Sequence, residues 1–466
     1  MDPREVAPFV PTCSFPDNLH PCPEVEEPDP ECASGITRYF EVEARPTDVE
    51  IIPGLTTRVW AYDGQFPGPT FVLDKGTRAV VRQRNSLPEL TSVHLHGAHT
   101  PPDSDGHPLA FIPEAVFRDY CYPNCHRAAT HWYHDHADRR TGRNVYMGLA
   151  GFYLVHDVHE KGLGLPSGKD FDIPLVFQDR RFFEDGSLFY NPFNHDGFLG
   201  DKFLVNGVIQ PFFEVARRKY RFRFLNGSNA RCYEFSLSSG QPFLQIATEG
   251  GLLQRPVSRS SIRLAMAERV EVVIDVSRYP IGSSVYLQNC LIQKEGRGPD
   301  KIDRRRCTPL VRFDIVRDAV DDSVVPDVLL DEPIAIHPAR PSRTRRFEFE
   351  RRNGAWAING RFFDGGAHID ADPRLCTSEV WELVNKSGGW EHPIHIHHED
   401  FVILDRNGRR PPAHDAGFKD TVNLGPNDRV RVQMPFITFT GVYVYHCHNL
   451  EHEDMDMMGQ FEVRPA

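Results

Sequence analysis

Four His-x-His pairs are the feature of this sequence that points most directly to chemistry. In a β-strand, residues i and i+2 project from the same face, about 6.6–6.8 Å apart. This spacing is too wide for two adjacent imidazoles to chelate one ion easily, but it suits two neighbouring ions that each take one imidazole. Among 22 histidines, random placement would give about one such pair. The pairs are His94 with His96, His134 with His136, His395 with His397, and His446 with His448.

These pairs come from two distant regions, two pairs near the start of the chain and two near its end. A small metal cluster that used all of them would draw its ligands from two domains and lie between them. Zinc is the main competing metal, but a zinc site needs only three or four ligands and would leave the other histidines unexplained.

Cys447 lies between His446 and His448, and on a strand its side chain must point away from theirs. A cysteine thiolate with two histidines and a weak axial methionine is the ligand set of a blue-copper electron-transfer site. The segment 446–448 would then connect an ion that accepts single electrons to a cluster that gathers several. The remaining candidate ligands lie close in sequence: His392, His452 and Met457.

The segments that must position these residues have the pattern of β-strands. The segment 219–226 places Tyr220, Phe222 and Phe224 on one face, and similar alternation recurs along the chain between glycine and proline turns. Long helices are disfavoured, because 38 prolines and 35 glycines interrupt the sequence at short intervals. We therefore predict an all-β protein made of several sandwiches or barrels.

Two stretches, 158–172 and 317–345, have the composition of linkers. They divide the predicted β region into three units, 36–157, 172–317 and 343–466, each of the size of a small β-sandwich. All four His-x-His pairs lie in the outer two units. Residues 1–35 are rich in proline and acidic residues, and we predict an extended leader there.

Composition excludes several classes of function. The 466 residues include 53 Lys and Arg against 65 Asp and Glu, a net charge of −12, so nucleic-acid binding is not expected. No apolar run reaches the ~20 residues of a membrane helix. The first residues lack a signal peptide, which favours the cytoplasm, with a mature secreted form as the alternative. Disulfide pairing stays open among Cys13, Cys22, Cys32, Cys121, Cys125, Cys232, Cys290, Cys307 and Cys376.

The longest motifs resemble those of three-domain multicopper oxidases, in the branch of the bacterial spore-coat laccases and bilirubin oxidases. The resemblance covers about residues 36–466 and implies three cupredoxin-like domains, each a Greek-key β-sandwich. It also implies four copper ions and the reduction of O2 to two waters by electrons from four donor equivalents. The motifs that carry it are 94–97, 103–107, 132–137, 144–153, 392–397 and 446–458.

The resemblance assigns each copper ion to residues of this chain, and the middle unit contributes no ligand. The type 1 copper corresponds to His392, Cys447, His452 and Met457. The type 2 copper corresponds to His94 and His395. The binuclear type 3 pair corresponds to His96, His134, His136, His397, His446 and His448.

Two acidic residues are predicted to carry protons for O2 reduction. The resemblance places Asp105 beside the trinuclear copper centre, and Glu453 follows the ligand His452. Carboxylates near such a cluster can relay the four protons that the reaction consumes. The alternatives are an Asx-type turn at Asp105 and a hydrogen-bond acceptor for a ligand histidine at Glu453.

The donor site is predicted at Trp390, Glu391 and His392. In the family, the histidine at the position of His392 stands between the type 1 copper and the donor. An aromatic ring at Trp390 would pack against a ring-shaped donor. A carboxylate at Glu391 would attract cationic or amino-bearing donors and accept a proton from a phenol, unless it merely faces solvent.

Three functions are compatible with these motifs. The leading one is a laccase-like oxidase whose partners are O2 and a small phenolic, aminophenolic or related aromatic donor. The second is a metal oxidase of Cu(I) or Fe(II), which the seven methionines disfavour because they form no methionine-rich insert. The third is a non-catalytic copper-binding or structural protein, which the complete set of ligand positions disfavours. We expect a monomer or a small oligomer.

Overall fold

The computed structural model describes residues 12–13, 32 and 35–466, and these residues form an almost entirely β structure. Strands account for 48% and helices for 6% of the structure. This confirms the predicted all-β class. The leader predicted for residues 1–35 lies, apart from four residues, outside the described part of the chain.

The first pair of sheets is built from residues 37–156. Its strands and helix are β1 (Thr37–Val49), β2 (Thr57–Tyr62), β3 (Gly68–Asp74), β4 (Arg78–Asn85), β5 (Val93–His96), β6 (Phe117–Tyr122), β7 (Ala129–Asp135), α1 (Thr141–Met147) and β8 (Ala150–His156). One sheet has the order β2-β1-β4-β6 and the other β3-β8-β7-β5. Along β1 the alternate residues Phe40, Val42 and Ala44 point into the core between the sheets, as the period of two requires.

The second pair of sheets follows a short helix, α2 (Val158–Gly162). Its strands are β9 (Asp172–Arg180), β10 (Lys202–Val205), β11 (Val208–Ile209), β12 (Phe212–Arg217), β13 (Lys219–Asn226), β14 (Tyr233–Leu237), β15 (Phe243–Thr248), β16 (Gly251–Arg259), β17 (Ile262–Leu264), β18 (Arg269–Asp275), β19 (Ser284–Asn289), β20 (Leu291–Ile292), β21 (Lys301–Ile302) and β22 (Thr308–Asp318). The sheets have the orders β11-β10-β9-β13-β18-β15-β16 and β12-β22-β19-β14-β17, with β20 and β21 as a separate ribbon. Tyr220, Phe222 and Phe224 lie in the core between the two sheets, on the face that their alternation predicts.

The third pair of sheets carries the remaining motifs. Its elements are β23 (Arg343–Arg352), β24 (Ala355–Ile358), β25 (Thr377–Asn385), β26 (His392–Ile396), β27 (Val402–Arg406), β28 (Thr421–Leu424), β29 (Arg429–Phe436), β30 (Gly441–Cys447), α3 (Leu450–Asp454) and β31 (Met458–Val463). The sheets have the orders β24-β23-β25-β29-β27 and β28-β26-β30-β31. The core between them contains Trp356, Trp381 and Cys447, all fully buried.

Strand register brings the His-x-His pairs together two by two. In the first pair of sheets, β5 and β7 are antiparallel neighbours, and His94 lies directly opposite His134. In the third pair, β26 and β30 are antiparallel neighbours, and His395 lies opposite His446. Each end of the chain therefore presents four histidines on one small patch of sheet.

Five of the described cysteines are in disulfides. Cys13 is bonded to Cys121 and Cys290 to Cys307, Cys376 is also in a disulfide, and Cys232 and Cys447 are free thiols. Within the described residues, every helix is too short and too polar to span a lipid bilayer.

Candidate metal centre

Eight histidines from the first and third pairs of sheets converge where the two pairs meet. Their nitrogen atoms form three groups in which all members lie within 4.8 Å of one another, and each side chain is at most 2% exposed. The two type 2 ligands implied by the resemblance fall in the first group, and the six type 3 ligands fall in the other two groups. His397, an implied type 3 ligand, also belongs to the first group. The groups are His94, His395 and His397; His96, His134 and His448; and His136, His397 and His446.

The distances between these nitrogen atoms fit shared metal ions. Two nitrogen ligands about 2.0–2.1 Å from one ion, at a tetrahedral angle, lie about 3.3–3.4 Å apart. Both ring nitrogens of the buried His448 lack a hydrogen-bond partner, which is costly unless an ion takes one of them. Nitrogen pairs at 3.3 Å occur between His94 and His395, His96 and His134, His136 and His397, and His397 and His446.

The second nitrogen of most rings faces an oxygen atom on the outside of the cluster, which fixes the tautomer and leaves the inner lone pair for a metal. Three rings donate from Nδ1 to a backbone carbonyl oxygen: His94 to that of Asp105 at 2.6 Å, His134 to that of Asp135 at 2.8 Å, and His395 to that of Asp420 at 2.8 Å. Carboxylate oxygens lie beside His96 (Asp420, 3.0 Å), His136 (Glu453, 3.1 Å), His397 (Asp105, 2.7 Å) and His446 (Glu453, 3.0 Å).

Burial also keeps these imidazoles neutral. Desolvation is the largest cause, and the neighbouring imidazoles add to it, so the pKa lies below its ordinary value at His94, His96, His134, His136, His395, His397 and His448. A neutral imidazole offers a lone pair at neutral pH, which is the form that binds metal ions.

A separate site lies on the other side of β30. Cys447 Sγ is 3.4 Å from His392 Nδ1 and 3.6 Å from His452 Nδ1, and the two nitrogens are 3.2 Å apart. The side chain of Asn449 caps α3 by accepting from the backbone N–H of His452, which holds that ring beside the thiol. Burial raises the pKa of the Cys447 thiol, so a metal must displace its proton to bind.

Met457 is the methionine best placed to be the axial ligand of this site. Its side chain is fully buried in the same core as Cys447, and its backbone oxygen accepts from the Cys447 N–H at 3.1 Å. Met455 is only partly buried, and Met458 packs in another cluster with Phe363 and Val444. Two histidines, one cysteine and a nearby methionine are a donor set that suits copper.

Both predicted proton-carrying residues are buried against the eight-histidine cluster. Asp105 Oδ2 lies 2.7 Å from His397 Nδ1, so the carboxyl group does more than close a turn. Glu453 contacts one histidine of each domain, His136 and His446. Asp105 therefore serves as a hydrogen-bond partner of a ligand ring, and Glu453 lies within ion-pair distance of two ligand rings. The proton role of both carboxylates stays a prediction.

Nothing in the sequence pointed to two residues that hold the cluster, Asp420 of the third pair of sheets and Arg269 of the middle pair. Asp420 contacts His96 with its carboxylate and His395 with its backbone oxygen. Arg269 donates two hydrogen bonds to that carboxylate, at 2.8 and 2.6 Å, and both residues are almost fully buried. A Cβ atom on Gly97 would lie 2.3 Å from Asp420, so this position needs glycine. The two partners are about 150 residues apart and share no local motif.

The three residues predicted to bind the electron donor lie in different environments. Trp390 is half-buried and donates its Nε1–H to Asp196 Oδ1 at 2.7 Å. His392 is fully buried, with its Nε2 2.8 Å from the Ser387 hydroxyl. Trp356, which sequence analysis did not single out, lies between them, with its ring 5.4 Å from Trp390 and 5.3 Å from His392.

Glu391 does not present a free carboxylate at the rim. Its Oε2 atom lies 3.2 Å from Arg263 and accepts from Asn423 at 2.8 Å, and its side chain is 15% exposed. The positive charge of Arg263 offsets that of the carboxylate. The attraction of cationic donors that we predicted for Glu391 therefore loses its electrostatic basis.

Comparisons with known proteins agree with this arrangement. Two family models, both described as multicopper oxidase, match residues 43–160 and 335–466. The chain is 39% identical to a bilirubin oxidase of Albifimbria verrucaria, over 91% of this chain and 76% of that protein. It is 35% identical to a laccase of Bacillus stratosphericus, over 96% of this chain and 99% of that protein. The crystal structure of a laccase from Pediococcus acidilactici superposes with a TM-score of 0.83 at 32% identity, covering 99% of this chain and 94% of that one.

We expect Cys447→Ser to abolish the strong visible absorption of the copper-bound protein and to leave the copper in the eight-histidine cluster. The reason is that the blue colour comes from charge transfer between a thiolate and Cu(II), and serine offers no thiolate. Absorption spectra and copper analysis of the purified variant measure both effects. An intensely blue variant would rule out Cys447 as the type 1 ligand.

We expect Met457→Leu to raise the reduction potential of the type 1 copper and Met457→Gln to lower it. A weak axial ligand tunes the potential of such a site without being required for copper binding. Met455→Leu is the matched control and should change the potential little. Redox titration of the three variants tests this assignment, and equal shifts at the two positions would contradict it.

We expect Asp105→Asn to keep the blue band and full copper content but to slow O2 uptake by roughly 10²-fold or more. An amide still offers an oxygen to His397 Nδ1, so the ring stays in place, but it cannot exchange a proton. Oxygen-electrode rates across pH measure the effect. Unchanged rates at full copper loading would assign Asp105 a positioning role alone.

Proposed function

The chain belongs to the multicopper oxidase family, and on that premise we propose that it is a laccase-like oxidase of small aromatic donors. It is an oxidoreductase with three cupredoxin-like domains and four copper ions, one of type 1, one of type 2 and a binuclear type 3 pair. When bound, the type 1 copper takes single electrons from the donor, and the other three pass four electrons to O2 to give two waters.

A pair of tryptophans beside the type 1 ligands is the observation that carries the proposal. Trp390 is partly exposed, and its ring lies 5.4 Å from that of the fully buried Trp356. Trp356 in turn lies 4.0 Å from the ring of His452. A ring-shaped donor that packs against the exposed edge of Trp390 is thereby separated from the copper ligands by aromatic groups in contact.

The charges around Trp390 favour an aromatic donor that carries an acidic group. The guanidinium of Arg297 lies 4.0 Å from the centre of the Trp390 ring, and that of Arg351 lies 5.0 Å from it. Asp196 contacts the same ring through its Nε1–H and offsets one of these charges. The remaining positive charge at this edge would attract a carboxylate or a sulfonate.

The residues around the eight-histidine cluster supply what O2 reduction requires of the protein. Burial of all the ligand rings excludes bulk water from the site. Asp105 and Glu453 hold the outer nitrogens of ligand rings and, in our proposal, deliver protons from those positions. Asp420 and Arg269 fix His96 and His395, which come from different domains.

A metal oxidase of Cu(I) or Fe(II) is the second candidate. The exposed surface at Trp390 argues against a metal donor there, because Arg297 and Arg351 would repel a cation. A non-catalytic copper-binding protein is the third candidate. The three nitrogen groups and the His–Cys–His group are all assembled, which leaves this candidate without structural support.

We expect Arg297→Gln to lower kcat/KM for a carboxylated or sulfonated aromatic donor by about threefold at low salt, and to change kcat/KM for neutral phenol little. The difference should shrink as salt is added, because exposed charges are screened. Oxygen uptake with the two donors at two ionic strengths measures it.

Arg58→Gln is the matched control, because it removes one exposed positive charge from β2 of the first domain. It should change neither rate. Comparable changes with both donors in Arg297→Gln would contradict the electrostatic argument. Failure of the wild-type protein to oxidise any aromatic donor while it oxidised Fe(II) or Cu(I) would favour the second candidate.

A further inference from the structure

A second group of histidine and carboxylate side chains lies where the first and third domains meet, apart from the copper ligands. His99 and His126 belong to the first domain, and Asp400 belongs to the third. His126 and Asp400 are 6% and 4% exposed, and the side chain of His99 is 13% exposed. These three residues take no part in the groups of copper ligands described above.

The ring of His99 is held in the way that a metal-binding ring commonly is. Its Nδ1 lies 3.2 Å from Glu399 Oε2, on one side of the ring. Its Nε2 lies 3.5 Å from Asp400 Oδ2 and 3.4 Å from the backbone nitrogen of the same residue. A neutral ring that donates its Nδ1–H to Glu399 has its lone pair on Nε2. Metal-bound histidines usually donate their other ring N–H to a carboxylate or a carbonyl oxygen in this way.

The ring of His126 has a similar arrangement. Its Nδ1 lies 3.2 Å from the carbonyl oxygen of Arg127 and 3.3 Å from His131 Nε2, either of which can accept its N–H. Its Nε2 is buried and has no hydrogen-bond partner among the described residues. Asp400 Oδ1 is likewise buried without a partner in the described part of the chain. Burying such atoms unpaired is costly unless an ion binds them.

The separation of the two rings fits a shared ion. The ring centres of His99 and His126 are 5.5 Å apart. The same separation is found in the copper cluster between His94 and His395, whose nitrogen atoms approach one another to 3.3 Å. Two ligands of one tetrahedral ion lie about 3.3–3.4 Å apart, close to the 3.5 Å between His99 Nε2 and Asp400 Oδ2.

We propose that His99, His126 and Asp400 form a binding site for Zn²⁺, which links the first domain to the third. Two imidazoles and one carboxylate suit this ion, and three protein ligands leave its fourth position to water. Mg²⁺ and Ca²⁺ prefer oxygen ligands alone. The inference goes beyond the proposed function, because it concerns a metal that takes no part in the oxidation of a donor.

The charges around the site suit a divalent ion. Burial lowers the pKa of His99, but the charges of Glu399 and Asp400 outweigh it and raise the pKa, so a proton lies between the carboxylates when no ion is bound. Burial, together with the charge of His99, lowers the pKa of His126 to about 3, which leaves this ring neutral and able to bind a metal. Two carboxylates balance the ion, and the charge of Arg127, whose side chain is 37% exposed, reaches solvent.

A cavity of about 370 Å³ beside Arg127 gives a cation access to the site. Its lining includes the carboxylates of Asp157, Asp331 and Glu332, which would attract a cation to the entrance. Arg127 lines the same cavity and donates to Asp400 Oδ2 at 2.7 Å. The cavity is therefore separated from the proposed ligand by one half-exposed side chain.

Zinc binding to the protein with its four coppers tests the site. The protein is dialysed against Zn²⁺ alone, and bound zinc and copper are counted together. We expect the wild type to bind one Zn²⁺ that His126→Gln and Asp400→Asn bind at least roughly tenfold more weakly. Both substitutions keep a polar side chain of similar size, and four coppers with an unchanged blue band show that a variant is folded.

His159→Gln is the matched control, because His159 lines the same cavity but donates to the Leu329 carbonyl oxygen at 2.7 Å. It should bind zinc like the wild type. Equal zinc stoichiometry and affinity in the wild type, His126→Gln and Asp400→Asn would overturn the site. Weaker binding in only one of these two variants would place the ion within a single domain and overturn the link.

Thermal unfolding of the copper-loaded protein gives a second measurement. Zn²⁺ at 100 times its Kd should raise the unfolding midpoint of the wild type by roughly 2 °C or more, because the ion binds only the folded chain. At the same concentration it should raise that of Asp400→Asn at most about half as much. An equal rise in both proteins would contradict a role for Asp400. If the wild type oxidises no aromatic donor but the zinc difference persists, the proposed aromatic activity fails and the Zn²⁺ site stands.

Discussion

The structure depends on holding eight buried imidazoles together where two domains meet. Their inner nitrogens approach one another to 3.3 Å, which places lone pairs face to face. Without metal ions this arrangement is unfavourable, and it is maintained because the outer nitrogens are tied to oxygen atoms of the surrounding chain. The copper ions of the family would then bind to imidazole ligands that are already oriented.

The oxygen atoms that contact the outer ring nitrogens explain why three domains are needed for a cluster whose ligands come from two. Asp105 of the first domain holds His397 of the third, and Glu453 of the third domain holds His136 of the first. The middle domain contributes Arg269, whose two hydrogen bonds neutralise and fix the Asp420 carboxylate. A displacement of one domain would therefore remove acceptors from ligands of another, which links domain packing to metal binding.

The surroundings of the type 1 site divide into two chemically different sides. On one side, Trp390 and Trp356 lie between the solvent and the ligand rings, flanked by two arginines. On the other, Glu391 turns toward the middle domain, where it meets Arg263 and Cys232. The two tryptophans and the paired carboxylate of Glu391 are thus separated in space, although both lie next to the strand that begins at His392.

The sequence alone predicted the β class and the direction in which the His-x-His pairs and Cys447 point. Alternation with a period of two is a local property, so a His-x-His pair faces one way and Cys447 the other wherever the strand is placed. The long motifs around these residues then identified the family and predicted its ligand sets. Local pattern was also enough to predict an all-β chain, because every strand has to bury one face.

Tertiary structure alone decided the contacts between distant segments. No spacing in the sequence reveals which of these residues are partners. The pairs and groups are Arg269 with Asp420, Trp356 with Trp390, and Cys232 with Met266 and Glu391. The ion pair of Glu391 with Arg263 removed the basis of an electrostatic prediction that was reasonable for an isolated carboxylate. Such partners are set by how the sheets of different domains pack, and packing depends on the shape of whole faces and not on the period of any one strand.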